Sequence, residues 1–371
     1  MSEGRIRVLV LIGQLELGGS ERQLLLTMKH LDRARFEPHV AVLNRGASHA
    51  QHEVLREMGV PVWTAPEGKR GPHRRLAWLY PLCRRLRPRV LHSWTAYTNP
   101  YAVIAGRAAR VPRVIGSLRG TASALPSAGW PGLLVGAFLR GADRLVVNAD
   151  ALREEATGAG TPPGRIVVIP NGVEVDTEAQ PADLAPLGVP AGAPVVLQIG
   201  NLRTVKNHGL FIRAMARVRR EMPEAVGMIV GGESPSEPTV RAELEALDAE
   251  INGGVVFAGF RRDVSALLRR ANVLTLTSHS EGMPNVVLEA MAMGVPVVAV
   301  RVGGVAELVV DGVSGETVEP GAEADLAAVI AALLADPTRA SKMGEVGRKR
   351  AAPHGAAQRA EQFATLYEGF A

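Results

Sequence analysis

The chain has 371 residues, of which 47% are hydrophobic and 21% are charged, and it carries a formal net charge of +5. This length exceeds that of one ordinary domain, so we expect two domains of about 180 residues each. The single cysteine, Cys83, excludes an intramolecular disulfide and is typical of a reducing compartment. Because no apolar run approaches the roughly 18 residues that span a bilayer, and the N-terminus has no signal-peptide core, we expect a cytoplasmic protein.

The first half of the chain alternates short apolar runs with polar or helical stretches. This alternation predicts a parallel sheet that is covered by helices on both faces. Helices are expected at residues 21–31 and 50–58, among others. The predicted strands are residues 8–12, 39–43, 61–63, 90–93, 113–117, 144–148 and 166–169.

Positive charge is concentrated in this half. Residues 1–175 carry 24 Lys+Arg and 13 Asp+Glu, a balance of +11, whereas the remainder carries 18 and 24, a balance of −6. This pattern fits contact with an anionic membrane surface or with an acidic acceptor. The alternative is a solvated arginine-rich helix without a partner. We expect no nucleic-acid partner. Much of the excess of positive charge lies in one basic stretch, in which Trp78 and Tyr80 are interleaved. Its basic residues are Lys69, Arg70, Arg74, Arg75, Arg84, Arg85, Arg87 and Arg89.

The second half repeats the strand and helix alternation after an irregular connection. Prolines and glycines in residues 176–194 predict a linker between domains 1–175 and 195–355. A last helix, about 356–371, has the apolar residues Phe363, Leu366, Tyr367 and Phe370 at helical spacing. The predicted strands are 195–199, 228–230, 255–258, 273–277 and 295–300, and the predicted helices are 207–220, 239–250, 264–271, 286–293 and 322–334.

Two carboxylates, Glu281 and Glu289, lie eight residues apart on either side of a predicted helix start. Pro284 suits the first helical position because it has no amide hydrogen to leave unpaired, with Asn285 or Ser280 as the cap. Gly294 is expected to end this helix. The free amides of residues 282–286 can bind an anion, and the two acids can accept hydrogen bonds from sugar hydroxyls. The combination is typical of a nucleotide-sugar site, although most pairs at this spacing only favour a helix start in solvent.

Two further loops fit the binding of a diphosphate. After the strand 195–199, Gly200 permits a tight exit, and Arg203 and Lys206 then precede a helix. This pair of cations can neutralise a nucleotide diphosphate, with Arg binding two oxygens at once and Lys acting as a point charge. Near the N-terminus, Gly18 and Gly19 precede a helix and leave room for a phosphate to approach the backbone.

Together these motifs resemble the signature of the retaining GT-B glycosyltransferases of family 4, also called glycosyl transferases group 1. The resemblance covers nearly the whole chain and is densest from Gly200 to Gly315. It includes a Gly-x-Leu-x-x-x-Lys-Asn phosphate motif at residues 200–207, a Gly-Gly-Ser-Glu run at 18–21 and a Pro-Asn-Gly-Val hinge at 170–173. The densest match comprises Glu281, Gly282, Pro284, Asn285, Glu289, Ala290, Gly294, Pro296 and Val297.

The resemblance implies an α/β fold of the GT-B type, with two doubly wound, Rossmann-like parallel-sheet domains facing across a cleft. The first domain would bind the acceptor, the second would bind the nucleotide-sugar donor, and the last helix would pack back on the first domain. The implied activity is that of a retaining glycosyltransferase of the hexosyltransferase type, with a saccharide, lipid-linked or small-molecule acceptor. The implied chemistry is front-face attack in which the departing phosphate oxygen takes the acceptor's proton.

The resemblance also implies roles for individual residues. Catalytic roles fall to Arg203, Lys206, Glu281 and His92, and His92 would face the cleft near a bound sugar. Many relatives have a histidine where this chain has Arg119, and an arginine there would bind phosphate or an acidic sugar of the acceptor, which leaves the acceptor class open. Donor-binding roles fall to Gly18, Gly19, Gly200, Gly231, Phe260, Gly282, Met283, Pro284, Asn285, Val286 and Glu289, with buried core as the alternative for Phe260.

The sequence contains no Asp-x-Asp motif, so we expect no metal and no cofactor beyond the nucleotide-sugar co-substrate. Arg203, Lys206 and helix dipoles would carry the diphosphate instead. Two alternatives remain open at this point. One is a GT-B sugar-nucleotide epimerase or hydrolase, and the other is a catalytically silent nucleotide-sugar-binding protein.

Overall fold

The computed structural model of the chain describes residues 4–16, 18–44, 46, 50–66, 71–120 and 138–369. The chain divides into two compact units, the first made of residues 1–172 and 354–371 and the second of residues 173–353. Each unit is built around its own parallel sheet. Lys69, Arg70 and Phe370, which were part of the predictions above, lie outside the described residues.

The first unit contains a seven-stranded parallel sheet in the order β3-β2-β1-β4-β5-β6-β7. Its central strands are apolar and almost fully buried, as expected for a sheet with helices on both faces. The strand order reverses between β1 and β4, where Val8 pairs with Val90. The strands are β1 (Ile6–Ile12), β2 (Phe36–Val42), β3 (Val62–Thr64), β4 (Val90–Ser93), β5 (Arg113–Leu118), β6 (Arg144–Val147) and β7 (Ile166–Val168).

The second unit contains a six-stranded parallel sheet in the order β10-β9-β8-β11-β12-β13. The order reverses between β8 and β11, so the loops that follow these two strands lie at the topological switch point. The last strand, β13, was not predicted from the sequence, because its three residues include Glu316 and Thr317 and form no apolar run. The strands are β8 (Val195–Ile199), β9 (Val226–Val230), β10 (Val255–Phe257), β11 (Val273–Leu276), β12 (Val297–Val300) and β13 (Glu316–Val318).

Helices connect the strands and cover both sheets. Within the described residues, no helix combines the length and the apolar character that a bilayer crossing requires. The helices used below are α1 (Gly19–His30), α2 (Ala50–Glu57), α3 (Pro72–Leu86), α4 (Asn99–Ala108), α5 (Asp150–Gly158), α6 (His208–Glu221), α7 (Val240–Ile251), α8 (Val264–Arg270), α9 (Asn285–Met293), α10 (Val305–Leu308), α11 (Glu323–Ala335), α12 (Pro337–Ala351) and α13 (Ala356–Glu368).

Residues 176–194, predicted as a linker, belong to the second unit. They form no strand and only one short 3-10 helix, Ala185–Leu187. Leu184, Val189 and Ala193 are nevertheless buried in the core beneath the second sheet. The segment is therefore irregular in conformation but packed like the elements around it.

The C-terminal helix α13 completes the core of the first unit. Phe363 is 3% exposed, and its ring centroid lies 5.2 Å from that of Trp94 and 5.7 Å from that of His92. Tyr367, one turn later, packs edge-on against Phe36 of β2. These aromatic residues belong to the same core cluster as Leu24 and Met28 of α1, so the two helices cover one face of the first sheet together.

Replacing Phe363 by Ala should lower the free energy of unfolding of the first unit by about 3–5 kcal/mol, because a buried aromatic ring would leave a cavity. Urea unfolding of the purified chain measures this change. The exposed neighbour Thr365→Ala is the matched control and should change stability by less than about 0.5 kcal/mol. Equal effects of the two substitutions would show that the helix is not part of the core.

Candidate functional site

Two predicted site residues meet at the switch point of the second sheet. Lys206 lies in the loop that follows β8, and Glu281 lies in the segment that follows β11. The Lys206 ammonium donates to Oε1 of Glu281 at 2.7 Å, with the side chains 29% and 12% exposed. A cation and a carboxylate thus lie at the carboxyl edge of the sheet, where doubly wound folds bind their ligands.

Two close backbone approaches fix the loops around this pair. A Cβ on Gly231 would collide with the carbonyl oxygen of Gly200, so glycine is required where the loops after β8 and β9 touch. A Cβ on Gly303, which has a φ of +50°, would collide with the carbonyl oxygen of Glu281. The neighbouring amide of Gly304 donates to the carbonyl of Gly282 at 2.7 Å, which anchors the chain next to Glu281.

Arg203, the other predicted cation, pairs with a residue that no motif identified. Its Nε donates to Oε1 of Glu237 at 3.1 Å, and the Thr204 amide donates to Oε2 of Glu237 at 2.7 Å. Hydrogen bonds from the hydroxyl and amide of Thr204, and then from Arg203, lower the pKa of Glu237 to about 2. The carboxylate is therefore ionised throughout the neutral pH range.

A buried polar network, which no sequence motif indicated, lies beneath the loop 200–207. The Gln198 amide donates to Nδ1 of His208 and to the Thr277 hydroxyl, at 2.8 Å in each case. Nε2 of His208 donates to the carbonyl of Asn201 at 3.2 Å. The Thr277 hydroxyl donates to the carbonyl of Asn207 at 2.9 Å. A glutamine inside the apolar strand Val195–Ile199 was the available signal, because a buried amide needs polar partners.

His208 is held in its neutral form by this network. Burial lowers its pKa to about 4, and the positive charge of Lys206 acts in the same direction, against the hydrogen bond to Asn201. Protonation would place a second N–H against the Gln198 amide, which is itself a donor.

The helix α9 begins one residue before the predicted span 286–293 and one residue after Pro284. Asn285 is its first residue, and Pro284 is the preceding N-cap residue with a φ of −75° and no side-chain capping bond. Our prediction that Pro284 occupies the first helical position, with Asn285 or Ser280 as the cap, is therefore wrong. Pro284 instead ends the turn formed by Gly282 and Met283, and Gly294 ends the helix in the left-handed conformation as predicted.

Glu289 lies in the second turn of α9 and is only 4% exposed. Val286 is half-buried one turn earlier, and Met283 is 5% exposed. A buried carboxylate requires polar partners, so Glu289 is not one of the solvated acids that merely favour a helix start.

Phe260 is 45% exposed, so the alternative that it belongs to the core is wrong. Its Cβ lies close to Gly232, in the loop that begins with Gly231 after β9. Asn201 approaches the same glycine from the loop after β8. An exposed aromatic ring therefore stands beside the glycine contact that joins the two loops.

In the first unit, Gly18 caps the start of α1 and Gly19 is the first residue of that helix. A Cβ on Gly18 would collide with the carboxylate of Glu21, which folds back over the helix start. Burial of Glu21 raises the pKa of its carboxyl to about 7. The helix start is thus occupied by a side chain of its own first turn.

His92 does not face a cleft, and this prediction is wrong. The ring is fully buried, with Nδ1 2.8 Å from the hydroxyl of Tyr367 and Nε2 2.9 Å from that of Ser117. Burial, and then the positive charge of Arg119, hold the pKa of His92 well below its usual range. With both nitrogens engaged inside the core, His92 has a structural role in this fold.

Arg119 stacks on Trp94, with the guanidinium carbon 4.0 Å from the ring centroid. Its Nε donates to the carbonyl of Trp94 at 3.0 Å, and its Nη1 lies 3.4 Å from Oδ1 of Asn171. Burial lowers the pKa of Arg119 to about 10. Its Nη2 is buried and has no hydrogen-bond partner among the described residues.

The basic stretch is only partly exposed. Arg75 donates to the hydroxyl of Tyr101 at 3.0 Å and to Oδ1 of Asn44 at 2.6 Å. Arg85 stacks over the ring of Trp63 at 4.4 Å. Arg75 is half-buried and is held within the first unit by its hydrogen bonds, whereas Arg74, Arg84 and Arg85 are exposed.

Two family models together match most of the chain. Residues 180–350 match the model described as "Glycosyl transferases group 1". Residues 17–177 match the one described as "Glycosyltransferase Family 4". The first match includes Arg203, Lys206, Glu281 and Glu289, so the candidate site falls within it.

Named relatives agree with these matches. The D-inositol 3-phosphate glycosyltransferase of Kineococcus radiotolerans is 35% identical over 247 residues, or 61% of this chain and 57% of that protein. The one from Geodermatophilus obscurus is 38% identical over 208 residues, or 52% of this chain and 46% of that protein. The chain thus spans about half the length of the curated relatives that it matches.

Solved structures share the fold over nearly the whole chain. The crystal structure of Anabaena HepE in complex with UDP-glucose has a TM-score of 0.86 at 23% identity and covers 98% of this chain and 100% of that one. Sucrose-phosphate synthase from Thermosynechococcus elongatus has a TM-score of 0.81 at 22% identity and covers 98% and 99%. At these identities the likeness shows the fold alone, and it confirms the expected pair of Rossmann-like sheets.

The neutral state of His208 predicts a pH dependence of stability in the second unit. An unfolded histidine takes up a proton near pH 6.5, whereas folded His208 does so only near pH 4. The contribution of neutral His208 to the free energy of unfolding is therefore present above pH 6.5 and is lost as the pH falls towards 4. Between pH 7.5 and 5.0 the wild-type chain should lose about 2 kcal/mol more unfolding free energy than His208→Gln. Urea unfolding of both chains at both pH values measures the difference.

The comparison between the two chains removes the effect of the other titrating groups. Glu21 and His92 also have shifted pKa values, but they are the same in both chains. An equal loss of stability in both chains would show that His208 already carries a proton in the folded state.

Proposed function

Because the chain belongs to the group 1 glycosyltransferases and has their GT-B fold, we propose that it transfers a sugar from a nucleotide-diphosphate-sugar donor to an acceptor, with retention at the anomeric carbon. The observation that carries this proposal is the meeting of Lys206 and Glu281 at the switch point of the second sheet. Arg203 in the same loop adds the second cation. The second unit is the donor-binding unit in this proposal, and the first unit binds the acceptor.

The donor diphosphate would lie against the loop that carries Arg203 and Lys206. As the bond to the sugar breaks, negative charge grows on the departing phosphate, and the two cations stabilise it without a metal ion. The departing oxygen takes the acceptor's proton. The protein therefore contributes position and charge rather than a nucleophile.

The leaving group in this proposal is UDP. HepE, which shares the fold, has been crystallised with UDP-glucose. The exposed ring of Phe260, beside the Gly231 loop, offers a flat apolar surface for the base, and the buried Glu289 would accept hydrogen bonds from ribose hydroxyls. Gly200 and Gly231 keep this edge of the sheet free of side chains.

The proposed acceptor is a small hydroxyl compound that carries phosphate or another acid. The named relatives are D-inositol 3-phosphate glycosyltransferases. Among the described residues, the buried Nη2 of Arg119 has no partner, while stacking on Trp94 holds the guanidinium in place. An arginine held in this way can recognise an oxyanion through a charged hydrogen bond.

Arg203→Ala and Lys206→Ala should each lower turnover roughly a hundred- to a thousand-fold, because losing one contact to the developing charge costs about 2.7–4 kcal/mol. Arg203→Ala should melt near the wild-type temperature, and Lys206→Ala should lose far less stability than turnover. Steady-state kinetics with UDP-sugars, beside thermal melts, test this. Arg217→Ala, an exposed arginine on α6 that pairs with Glu323, is the matched control and should keep its turnover. Near-normal turnover in both site variants would remove the loop from the active site.

Glu289→Gln should weaken UDP binding about ten-fold while the helix stays folded. Gln is nearly isosteric with Glu and is a good helix former, and a hydrogen bond to a charged group contributes about 1.5–3 kcal/mol. Calorimetric titration with UDP measures the affinity. The control is Glu345→Gln, an exposed glutamate on α12. Unchanged affinity in Glu289→Gln would mean that this carboxylate does not touch the donor.

A further inference from the structure

The loops that follow β8 and β9 are joined by main-chain hydrogen bonds over only part of their length. The amide of Gly200 donates to Val230 at 2.8 Å, and the amide of Leu202 donates to Gly232 at 2.9 Å. Beyond Leu202 the two main chains part. Both cations of the proposed diphosphate site, Arg203 and Lys206, lie beyond this point.

The side chain of Glu237 continues the connection. It comes from the loop after β9 and accepts from two consecutive residues of the other loop, Nε of Arg203 and the amide of Thr204. Thr204 begins the short 3-10 helix Thr204–Lys206, which has no side-chain cap from its own segment. Glu237 therefore caps this helix from a different loop.

We propose that Glu237 is a positioning residue for the diphosphate site, which aims the guanidinium of Arg203 and fixes the turn that carries Lys206. This inference rests on the proposed function, since it assigns Arg203 and Lys206 to the diphosphate. No sequence motif contains Glu237, which lies 34 residues after Arg203.

The geometry of the Arg203 contact supports this role. Glu237 binds Arg203 through Nε, so this contact does not use the two terminal nitrogens of the guanidinium. Those two nitrogens form the fork that binds two oxygens of a phosphate. The Arg203 side chain is 50% exposed, so without Glu237 it would exchange among many rotamers, and ligand binding would have to order it.

A carboxylate beside a diphosphate site also repels the ligand, and the two effects must be weighed. The charge of Glu237 is balanced by Arg203 and by the Thr204 amide, and its side chain is 25% exposed to solvent. The adjacent guanidinium and the access of water both reduce the repulsion that this carboxylate exerts on a ligand. The ordering of Arg203 and of the turn acts directly on the contact atoms, so positioning outweighs repulsion.

Glu237→Gln is the sharpest test, because Arg203 and Thr204 bind different oxygens of the carboxylate, and the amide places a donor NH2 group where one of these acceptors was. The control is Glu233→Gln in the same loop, whose carboxylate lies 3.6 Å from Arg241 and touches neither cation. Arg203→Ala and the double variant Arg203→Ala/Glu237→Gln complete a thermodynamic cycle. Each chain is titrated calorimetrically with UDP and with inorganic pyrophosphate, and its melting temperature is recorded.

We expect Glu237→Gln to bind UDP and pyrophosphate about five- to ten-fold more weakly than the wild type, with an unchanged melting temperature. Glu233→Gln should bind both ligands normally. In the Arg203→Ala background, adding Glu237→Gln should weaken binding by a smaller factor than it does in the wild type, because only its effect on the turn that carries Lys206 remains. A merely structural role would lower affinity equally in both backgrounds.

Wild-type affinity or tighter binding in Glu237→Gln would overturn the inference, as would an equal loss in Glu233→Gln. Failure of the proposed function is distinguishable from failure of this inference. If the wild type binds pyrophosphate but not UDP, the proposed donor is wrong, and the pyrophosphate series still decides the role of Glu237. If the wild type binds neither ligand, both the diphosphate site and the role of Glu237 are wrong.

Discussion

The ion pair between Lys206 and Glu281 joins the two loops that the topology of the second sheet brings to its carboxyl edge. Neither side chain could hold this position alone. The carbonyls of Asn201 and Asn207, on either side of Lys206, are bound from below by His208 and Thr277, and the backbone at Glu281 is pressed against Gly303. The pair is partly shielded from water. In such surroundings a charge without a partner would be costly. A ligand phosphate that approaches Lys206 must therefore share the ammonium with Glu281 or displace the carboxylate.

Both units contain a parallel sheet whose strand order reverses, but the polar residues at this point differ between the two units. In the second unit, polar groups at the switch point end in solvent-accessible charges, with neutral groups buried beneath them. In the first unit, the corresponding edge directs His92 inward, where its two nitrogens bind Ser117 and Tyr367. Arg119 lies at that edge with its guanidinium stacked on Trp94 and with a buried Nη2 that has no partner among the described residues. The chemistry of an equivalent position thus depends on what packs over it rather than on the sheet itself.

The sequence predicted the parts of the fold that are encoded locally. Apolar runs identified the central strands, and glycines such as Gly200 and Gly294 identified where strands and helices end. The polar three-residue strand β13 had no local signal, because its partner β12 supplies the hydrogen bonds. The burial of His92 could not be predicted either, since the groups that cover it come from a helix about 270 residues later in the chain. Glu237 was missed for the same reason: its partners Arg203 and Thr204 belong to the neighbouring strand's loop.

The return of α13 to the first unit has a consequence for folding during synthesis. Residues 173–353, the 181 residues of the second unit, are translated between the first 172 residues and the helix that completes their core. At ordinary translation rates this interval lasts roughly 10–40 s. During that time the apolar surface around Trp94 and Phe36 lacks its cover, and the nascent first unit exposes an aromatic patch to other chains. Chaperone binding and aggregation of truncated products should therefore concentrate on this surface, even though it is among the most deeply buried regions of the finished protein.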